Sequence, residues 1–351
     1  MARTGSLIGR RALIVACAGT VIAAAGGVLL PRGPDPDPQD DGRPAGPVGL
    51  FDVSAASELL PPSPLHHVSG PQSVSYGDGS GTVYALQVVP ASVRLPDERR
   101  PLGGRARRLA GDLCVSVLSR SGAETGHMYL RGFGHGISFG VESSGGELLL
   151  WVESDVDPRT GYGRAVARIP FHDGAVLDSS SPRVRHHRPL PGSRQLHPTL
   201  DPAARRVLVS HWIGRTHHYT VYRTADFVSG RYEPLHHVED SALRDGETFQ
   251  GCALHGDHIY QLTGQQYTDA AGGNPPSAGG NTFVSAIDVR SGRTVGRRKV
   301  TAGPGLNFRE PEGIAVRPGP EARLCVAFSV KTPGRRELAV YACPPGAGPS
   351  A

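Results

Sequence analysis

Residues 134–142 read Gly-His-Gly-Ile-Ser-Phe-Gly-Val-Glu, a short polar head that leads into a more apolar strand. The same arrangement occurs five times along the chain. The five heads are Gln72-Ser73, Gly134-His135, Leu196-His197, Phe249-Gln250 and Glu310-Pro311-Glu312. Successive heads, counted from Gln72 through His135, His197, Gln250 and Glu310, lie 63, 62, 53 and 60 residues apart. A near-constant period of this length indicates a repeat protein.

Each repeat is long enough for four short strands, and turn residues separate these strands from one another. In the first repeat, Val115 and Val117 give the alternation of a half-buried strand. In the second, Gly145-Gly146 separates the first two strands, as a tight hairpin requires. No stretch shows sustained helical periodicity. Five radially arranged sheets form a β-propeller, so we predict an all-β, five-bladed β-propeller over about residues 48–343.

The fifth repeat ends before its fourth strand. Three strands are predicted there, over residues 313–317, 323–329 and 337–342, and then the chain runs out. Gly49 to Ser54 is an apolar-rich strand that has no sheet of its own. Pairing this strand with the last repeat would remove two exposed sheet edges. We predict that an N-terminal strand, Gly49 to Ser54, closes the ring.

The first 30 residues have the pattern of an export signal. Arg10-Arg11 precedes an uncharged run of 19 residues, Ala12 to Leu30, and Ala23-Ala24-Ala25 offers a cleavage site. The paired arginines fit a twin-arginine signal. An uncleaved membrane anchor is the alternative, since about 20 apolar residues can span a bilayer. We predict an exported protein on the extracellular side of the cell envelope.

Two further segments lie outside the predicted propeller. Residues 31–47 hold six prolines and four aspartates, a composition that favours an extended spacer. Residues 344–351 are predicted to be a disordered tail.

The formal net charge of +5 does not indicate a nucleic-acid partner. Arg3, Arg10 and Arg11 lie in the targeting segment, and without them the rest of the chain is close to neutral. No basic stripe runs through the predicted strands, as a nucleic-acid binder would usually show. We therefore exclude DNA and RNA as main partners.

Histidine pairs and cysteines are the residues that most suggest metal or redox chemistry. The histidine pairs lie at 66–67, 186–187, 217–218 and 236–237. Adjacent strand residues point to opposite faces, so we predict surface positions and assign no metal and no cofactor. Cys114, Cys252, Cys325 and Cys343 show no zinc spacing. An exported chain permits a disulfide between Cys325 and Cys343, and buried free thiols are the alternative.

The five heads are expected to converge, because the first strand of each propeller blade lines the central channel. The predicted ligand-binding residues are Gln72, His135, His197, Gln250, Arg309, Glu310 and Glu312. The loops Pro90 to Gly111, with six arginines, and Gln265 to Asn281 are expected on the same face. Together with Arg131, Arg194 and Arg309 they would form a cationic rim. If the protein is an enzyme, His135 and His197 are the candidate general bases.

The heads also carry a family resemblance. Residues 134–142, Phe249-Gln250-Gly251 and Glu310 to Ile314 resemble the corresponding strings of the TagC-like β-propellers. That family includes the minor teichoic acid biosynthesis protein C and the receptor-binding propellers of phage tails. Gln72-Ser73 and the strand ending at Gln87 fit its first repeat, so the resemblance covers about residues 48–343. It implies a five-bladed propeller associated with cell-wall glycopolymers.

This chain differs from the phage members in having a signal and a spacer and no trimerisation stem, so we expect a wall-facing monomer. Two functions remain open. The first is a binding module that recognises a teichoic-acid-like glycopolymer or another carbohydrate at the channel face. The second is a glycan-active lyase or hydrolase that uses His135 or His197 with a Glu partner. Binding is favoured because it needs only convergent polar groups.

Overall fold

The computed structural model of the protein describes residues 47–96, 98–269 and 272–346. The predicted signal, the spacer up to residue 46 and the tail beyond residue 346 lie outside the described residues. Of the helices in the described ranges, none has the length and apolar character needed to cross a membrane.

Three short strands precede the first blade. They are β1 (Pro47–Val48), β2 (Phe51–Asp52) and β3 (Ser57–Pro64). β1 and β2 form a small antiparallel hairpin. A 3-10 turn, Val53–Ala55, follows, and the Asp52 carboxylate caps it by accepting a hydrogen bond from the Ser54 N–H. Phe51 anchors the hairpin, because its ring is 1% exposed and packs edge-on against Tyr260 with centroids 5.1 Å apart.

Five sheets form the blades of the propeller. In four of them the strands lie side by side in the order in which they occur in the chain, and the exception is the sheet that β3 joins. Blade 1 contains β4 (Pro71–Ser75), β5 (Val83–Val88), helix α1 (Gly104–Ala110), β6 (Leu113–Leu118) and β7 (Glu124–Arg131). Blade 2 contains β8 (Gly140–Ser144), β9 (Glu147–Val156) and β10 (Gly163–Pro170). Next come β11 (Val176–Asp178), which pairs in parallel with β7, and β12 (His186–His187), which completes blade 2.

The second half of the ring repeats the pattern. Blade 3 contains β13 (Arg194–Asp201), β14 (Arg206–Ile213), β15 (Thr216–Arg223), helix α2 (Thr224–Ser229) and β16 (His236–Glu239). Blade 4 contains β17 (Phe249–His255), β18 (His258–Thr263), a 3-10 turn (Pro276–Ala278), β19 (Phe283–Asp288) and β20 (Thr294–Lys299). Blade 5 contains β21 (Glu310–Arg317), β22 (Arg323–Thr332) and β23 (Arg335–Cys343).

The predicted five-bladed, all-β propeller is therefore confirmed, and an N-terminal strand does close it. The segment that closes it differs from the prediction. β3 pairs with β23, with Leu60 opposite Val340 and Ser57 opposite Ala342. The assignment of Gly49 to Ser54 to this strand was wrong. Residues 57–64 contain three prolines, which disguise a strand in a sequence, but an outer edge strand tolerates residues without a backbone N–H.

The apolar core is divided among the five junctions between blades. Each junction holds its own cluster of buried side chains, and one pair of residues from the two facing blades illustrates each cluster. Starting at the junction of blades 1 and 2 and going round the ring, these pairs are Leu86 with Phe139, Trp151 with Val207, Leu208 with Ile259, Val284 with Phe328, and Ala327 with Val74. Each blade is therefore stabilised by both neighbours, which is why closure by β3 matters for the whole ring.

All four cysteines of the propeller are buried free thiols. Cys325 lies opposite Ala342 in the ladder, so Cys343 is one position out of register with it. The two side chains consequently face different blade junctions, and the Cys325–Cys343 disulfide that the sequence permitted does not form. Burial raises the pKa of Cys325 to about 11 and that of Cys343 to about 12.

Candidate functional site

The polar heads coincide with irregularities in the innermost strands. In blades 1, 3, 4 and 5 the pairing register of the first strand shifts at the head. The shifts lie between Pro71 and Ser73, Arg194 and His197, Phe249 and Gly251, and Pro311 and Ile314. In blade 2 the head precedes β8 and has no ladder of its own. Such bulges redirect side chains and are common beside functional sites.

The head of blade 2 fills the centre of the ring. Ser73 of blade 1 donates a hydrogen bond to the Gly136 carbonyl oxygen, at 2.5 Å. The Cys252 N–H of blade 4 donates to the hydroxyl oxygen of Ser138, at 3.1 Å. Blades 2 and 4 are not neighbours in the ring, so the contact between Cys252 and Ser138 lies at its axis. The heads do meet, but around packed backbone instead of the open channel mouth that we expected.

Two glycines make this close approach feasible. Gly251 has φ +126°, and a Cβ added there would lie 3.0 Å from the Ile137 carbonyl oxygen. Gly313 has φ +133°, and a Cβ there would lie 2.8 Å from the Ser73 Cα. Both positions therefore require glycine, because a side chain would not fit there and because the backbone adopts a positive φ that other residues disfavour.

Most of the predicted ligand-binding residues are buried by this arrangement. Gln72 and His135 are partly exposed. His197, Gln250, Glu310 and Glu312 are at most 6% exposed. The side-chain amides of Gln72 and Gln250 donate to the carbonyl oxygens of Pro71 and Gly264, respectively. A ligand on the surface can reach Gln72 and His135 without any rearrangement.

The structure places Arg309 in the interior and not on the expected rim. Its guanidinium donates to the carbonyl oxygens of Val300 and Ala302, each at 2.8 Å, and lies 4.4 Å from the centre of the Phe328 ring. Burial lowers the pKa of Arg309. This side chain holds backbone segments around blades 4 and 5 together. Arg194 is exposed and Arg131 half-buried, so both of these reach the surface.

His135 and His197 are brought together through a tyrosine that the sequence analysis missed. The Tyr162 ring lies 4.8 Å from the His135 ring and 5.8 Å from the His197 ring, between centroids. Tyr162 and His135 are half-buried, whereas His197 is 1% exposed. We call His135 and Tyr162 the aromatic face.

A buried carboxylate underlies the aromatic face. Glu153 of β9 is 1% exposed and accepts hydrogen bonds from the backbone N–H groups of His135 at 2.6 Å, of Gly163 at 2.6 Å and of Gly136. Its Oε1 lies 3.7 Å from Nδ1 of His197. Burial favours a raised pKa for Glu153, but His197 and the backbone donors outweigh it and lower the pKa. Glu153 thus remains a carboxylate and fixes the backbone of the blade 2 head.

A second buried network lies next to His197. Ser210 is the cross-strand partner of His197, and its hydroxyl lies 3.0 Å from Nε2 of His217. Nδ1 of His217 lies 2.7 Å from the Asp240 carboxylate. This is the order of groups in a Ser-His-Asp triad. Ser210 is 0% exposed, however, so a substrate carbonyl cannot reach it and the network is structural.

Residues 136–140, Gly-Ile-Ser-Phe-Gly, also match the nucleophile-elbow pattern of serine hydrolases. In those enzymes the serine sits on a turn between a strand and a helix, exposed to substrate. Here Ser138 is 4% exposed, precedes strand β8 and accepts from Cys252. The motif is therefore a packing element at the ring axis.

In two of the histidine pairs the neighbouring side chains differ in burial, as alternation along a strand predicts, and one member of each of these pairs is buried. His187 and His217 are buried, while His186 and His218 beside them are partly exposed. Burial lowers the pKa of His187 to about 4, and its Nδ1 lies 2.9 Å from the Tyr232 hydroxyl. The prediction of surface positions was wrong for these two buried members.

The loop from Pro90 to Gly111 supplies the positive charge beside the aromatic face. Five of its six arginines are exposed: Arg94, Arg99, Arg100, Arg105 and Arg108. Arg107 is 0% exposed and forms ion pairs with Glu98 at 2.5 Å and Asp112 at 2.8 Å. It therefore holds the loop in shape and does not belong to the exposed rim.

Backbone contacts fix this loop against the head of blade 2. The Gly134 N–H donates to the Gly111 carbonyl oxygen at 3.0 Å. A Cβ added at Gly161 would lie 2.2 Å from the Arg108 carbonyl oxygen, which places α1 next to the residue before Tyr162. The backbone of the arginine-bearing loop therefore lies against the head of blade 2 and beside the residue before Tyr162. We call the exposed arginines of residues 90–111 together with the aromatic face the head surface.

The sequence and the fold of this chain resemble those of known proteins. Residues 106–342 match the family model described as the phage 5-bladed beta propeller receptor binding platform domain. The chain is 24% identical over 241 residues to the putative major teichoic acid biosynthesis protein C of Bacillus subtilis, covering 65% of this chain and 52% of the relative. The tail fiber of Staphylococcus aureus phage P68 superposes with a TM-score of 0.62 at 18% identity, covering 82% of this chain and 52% of the fiber. The chain thus spans about half the length of both proteins.

Proposed function

This chain belongs to the family of phage five-bladed β-propeller receptor-binding platform domains, and from that premise we propose that it binds an anionic cell-wall glycopolymer at the head surface. The observation that carries the proposal is that the loop of residues 90–111, with five exposed arginines, packs against the backbone beside His135 and Tyr162, whose rings lie 4.8 Å apart. Neither group alone would identify the ligand class.

The two halves of the head surface suit the two halves of such a polymer. Guanidinium groups pair with phosphate oxygens through bidentate, charge-assisted hydrogen bonds. Tyrosine and histidine rings combine an apolar face with a polar edge, which suits a sugar ring that has C–H groups on one face and hydroxyls at its edge. A teichoic-acid-like polymer offers both features. The name of the Bacillus subtilis relative and the receptor-binding description of the family agree with this ligand class.

The ligand is proposed to lie across the surface and not in a channel. Ser138 and the glycine contacts close the axis of the ring, and Gln250, Glu310 and Glu312 are buried beneath it. His135, Gln72 and Tyr162 are then the central contacts, with the arginines alongside. We propose that the protein works as an exported monomer on the outer side of the cell envelope.

A glycan-active enzyme is the alternative, with His135 as its acid or base. It has less support because the groups that would assist His135 are inaccessible. His197 and Glu153 are each 1% exposed, and the backbone N–H groups of His135, Gly136 and Gly163 already donate to Glu153.

Incubation with purified wall glycopolymer separates the two functions. We expect the protein to be retained on the polymer without releasing soluble fragments. Tyr162→Ala should weaken retention, whereas Tyr232→Ala, which removes a half-buried tyrosine of blade 3, should not. If the wild type releases soluble fragments and His135→Ala does not, the protein is an enzyme. If the wild type, Tyr162→Ala and Tyr232→Ala are retained equally, the aromatic face is not the binding site.

A further inference from the structure

Away from the head surface, three side chains approach one another as metal ligands would. His66 lies in the link between β3 and β4, and Glu124 and His127 lie on β7. Their ligand atoms all fall within 4.8 Å of one another, and they are the only such group of histidine, cysteine or acidic residues in the part of the chain that the structure describes. We propose that these three residues bind a divalent transition-metal ion of the zinc class.

The distances require only small adjustments. Nδ1 of His66 lies 2.6 Å from Oε1 of Glu124, and Nδ1 of His127 lies 3.8 Å from the same oxygen. A tetrahedral zinc ion with bonds of about 2.0–2.2 Å holds its ligand atoms roughly 3.3 Å apart. The His66–Glu124 pair must therefore open by about 0.7 Å and the His127–Glu124 pair close by about 0.5 Å. The Glu124 side chain is 34% exposed, so packing does not prevent this movement.

The two imidazole rings must also turn relative to each other. They stack with centroids 3.7 Å apart and planes 14° apart, so their lone pairs run nearly parallel. Convergence on one ion needs a rotation of the His127 ring, whose side chain is 27% exposed. Imidazole nitrogen with a carboxylate oxygen is a donor set that suits zinc and its neighbours in the first transition row, whereas calcium and magnesium prefer oxygen donors only.

A hydrogen-bonded chain behind His66 fixes the ring in the orientation that metal binding needs. Nε2 of His66 lies 3.2 Å from the Tyr129 hydroxyl, and that hydroxyl lies 3.0 Å from Nε2 of His67. With Nδ1 of His66 on the metal, Nε2–H donates to Tyr129, and Tyr129 donates to His67. Metal-bound histidines usually have such a partner on the second ring nitrogen, and it sets the tautomer.

The position of the site predicts what the ion does for the protein. His66 follows the closing strand β3 by two residues, whereas Glu124 and His127 belong to β7, the fourth strand of blade 1. The ion would therefore tie the link that leaves blade 5 to blade 1. These ligands come together in the closed ring, so the metal should stabilise the folded state by an amount that grows with the logarithm of its concentration once that exceeds the dissociation constant.

Titration of tag-free, chelator-treated protein with zinc chloride tests the site. Calorimetry should give one ion per chain, and the melting temperature should rise with zinc concentration. Cobalt substituted for zinc should show the intense visible absorption of tetrahedral coordination. His66→Ala combined with His127→Ala should abolish both the saturable binding and the thermal shift. Tyr129→Phe, which removes the partner of His66, should weaken binding by about 10-fold or more.

The matched control is His236→Ala combined with His255→Ala, which removes two partly exposed histidines of blades 3 and 4 and should leave binding unchanged. Glu124→Gln replaces a partly exposed carboxylate without altering its size, so it reports on the site even where the histidine variant fails to fold. Zinc binding of equal affinity in the wild type and in Glu124→Gln would overturn the proposal, as would the absence of saturable binding to the wild type.

Discussion

His135 and His197 occupy corresponding positions in neighbouring blades, but their burial separates their roles. His135 is half-buried beside Tyr162, whereas His197 is 1% exposed and faces Glu153. A surface imidazole can contact a ligand at little cost to folding. A buried imidazole next to an ionised carboxylate contributes to stability instead.

Alanine variants of the two histidines should therefore behave oppositely. His135→Ala should reduce retention on wall glycopolymer and change the free energy of unfolding by less than about 1 kcal/mol. His197→Ala should lower that free energy by about 1–3 kcal/mol, because it leaves the Glu153 carboxylate without its neighbour. Urea denaturation and polymer retention on both variants check this. A stable His197→Ala protein that no longer binds would show that His197 contacts the ligand.

The ionised state of Glu153 gives a pH dependence with a definite sign. Its pKa in the folded protein is lowered from the ordinary value of 4.5, so the stabilisation is complete above about pH 4.5 and is lost as the pH falls through the folded pKa. Glu153→Gln cannot accept from three N–H donors, and we expect it to cost about 1–3 kcal/mol at neutral pH. The difference in unfolding free energy between the two proteins should shrink below pH 4.5. A difference that is constant down to pH 3 would mean that folding does not lower the pKa of Glu153.

At the scale of the strand, the sequence revealed most elements and concealed the closing one. The heads were recognisable because polar residues interrupt apolar strands at a regular spacing. β3 was not, because Pro61, Pro62 and Pro64 lower its apparent strand propensity and its partner β23 lies at the other end of the chain. The bulges that bury Gln250 and Glu312 likewise depend on contacts between blades, which local patterns do not encode.

A pair of leucines in β3 tests the observed closure. Leu60 is 1% exposed in the junction between blades 5 and 1, whereas Leu59 is partly exposed. Leu60→Ala should lower the free energy of unfolding by about 2–5 kcal/mol, because it creates a cavity in a core that spans the closure. Leu59→Ala should cost about 1 kcal/mol. Denaturation curves in which the two variants coincide would argue against β3 as the closing strand.

In the candidate sites too, some residues could be recognised from the local sequence pattern, whereas others could be recognised only from the fold. His135 could be identified from its repeat position, but Tyr162 and Glu153 became recognisable only when the fold brought them to it. The proposed metal site could not be recognised from adjacent histidine pairs, because His66 and His127 lie far apart in the chain and only the fold brings them together. Arg107 and Arg309 were grouped with the exposed arginines, since charge alone does not reveal burial.

At the scale of the whole molecule, the ring holds the arginine-bearing loop of residues 90–111 against the head of blade 2. Five apolar junctions hold the blades, the blade 2 head closes the axis, and the head surface carries the exposed arginines. Electrostatic attraction between exposed charges is screened over about 8 Å at physiological ionic strength. Binding of an anionic polymer to this surface should therefore weaken as salt is added.

The most direct test measures binding of purified anionic wall glycopolymer to Arg105→Ala/Arg108→Ala over a range of salt concentrations. Both arginines are exposed, and leaving Arg107 intact preserves the fold of the loop. The matched control, Arg290→Ala/Arg293→Ala, removes two exposed arginines from the turn between β19 and β20, at the opposite end of a blade. We predict that the first variant binds more weakly than the wild type at low salt and shows a shallower salt dependence, while the control binds as the wild type does. Equal binding by all three proteins, insensitive to salt, would contradict the account.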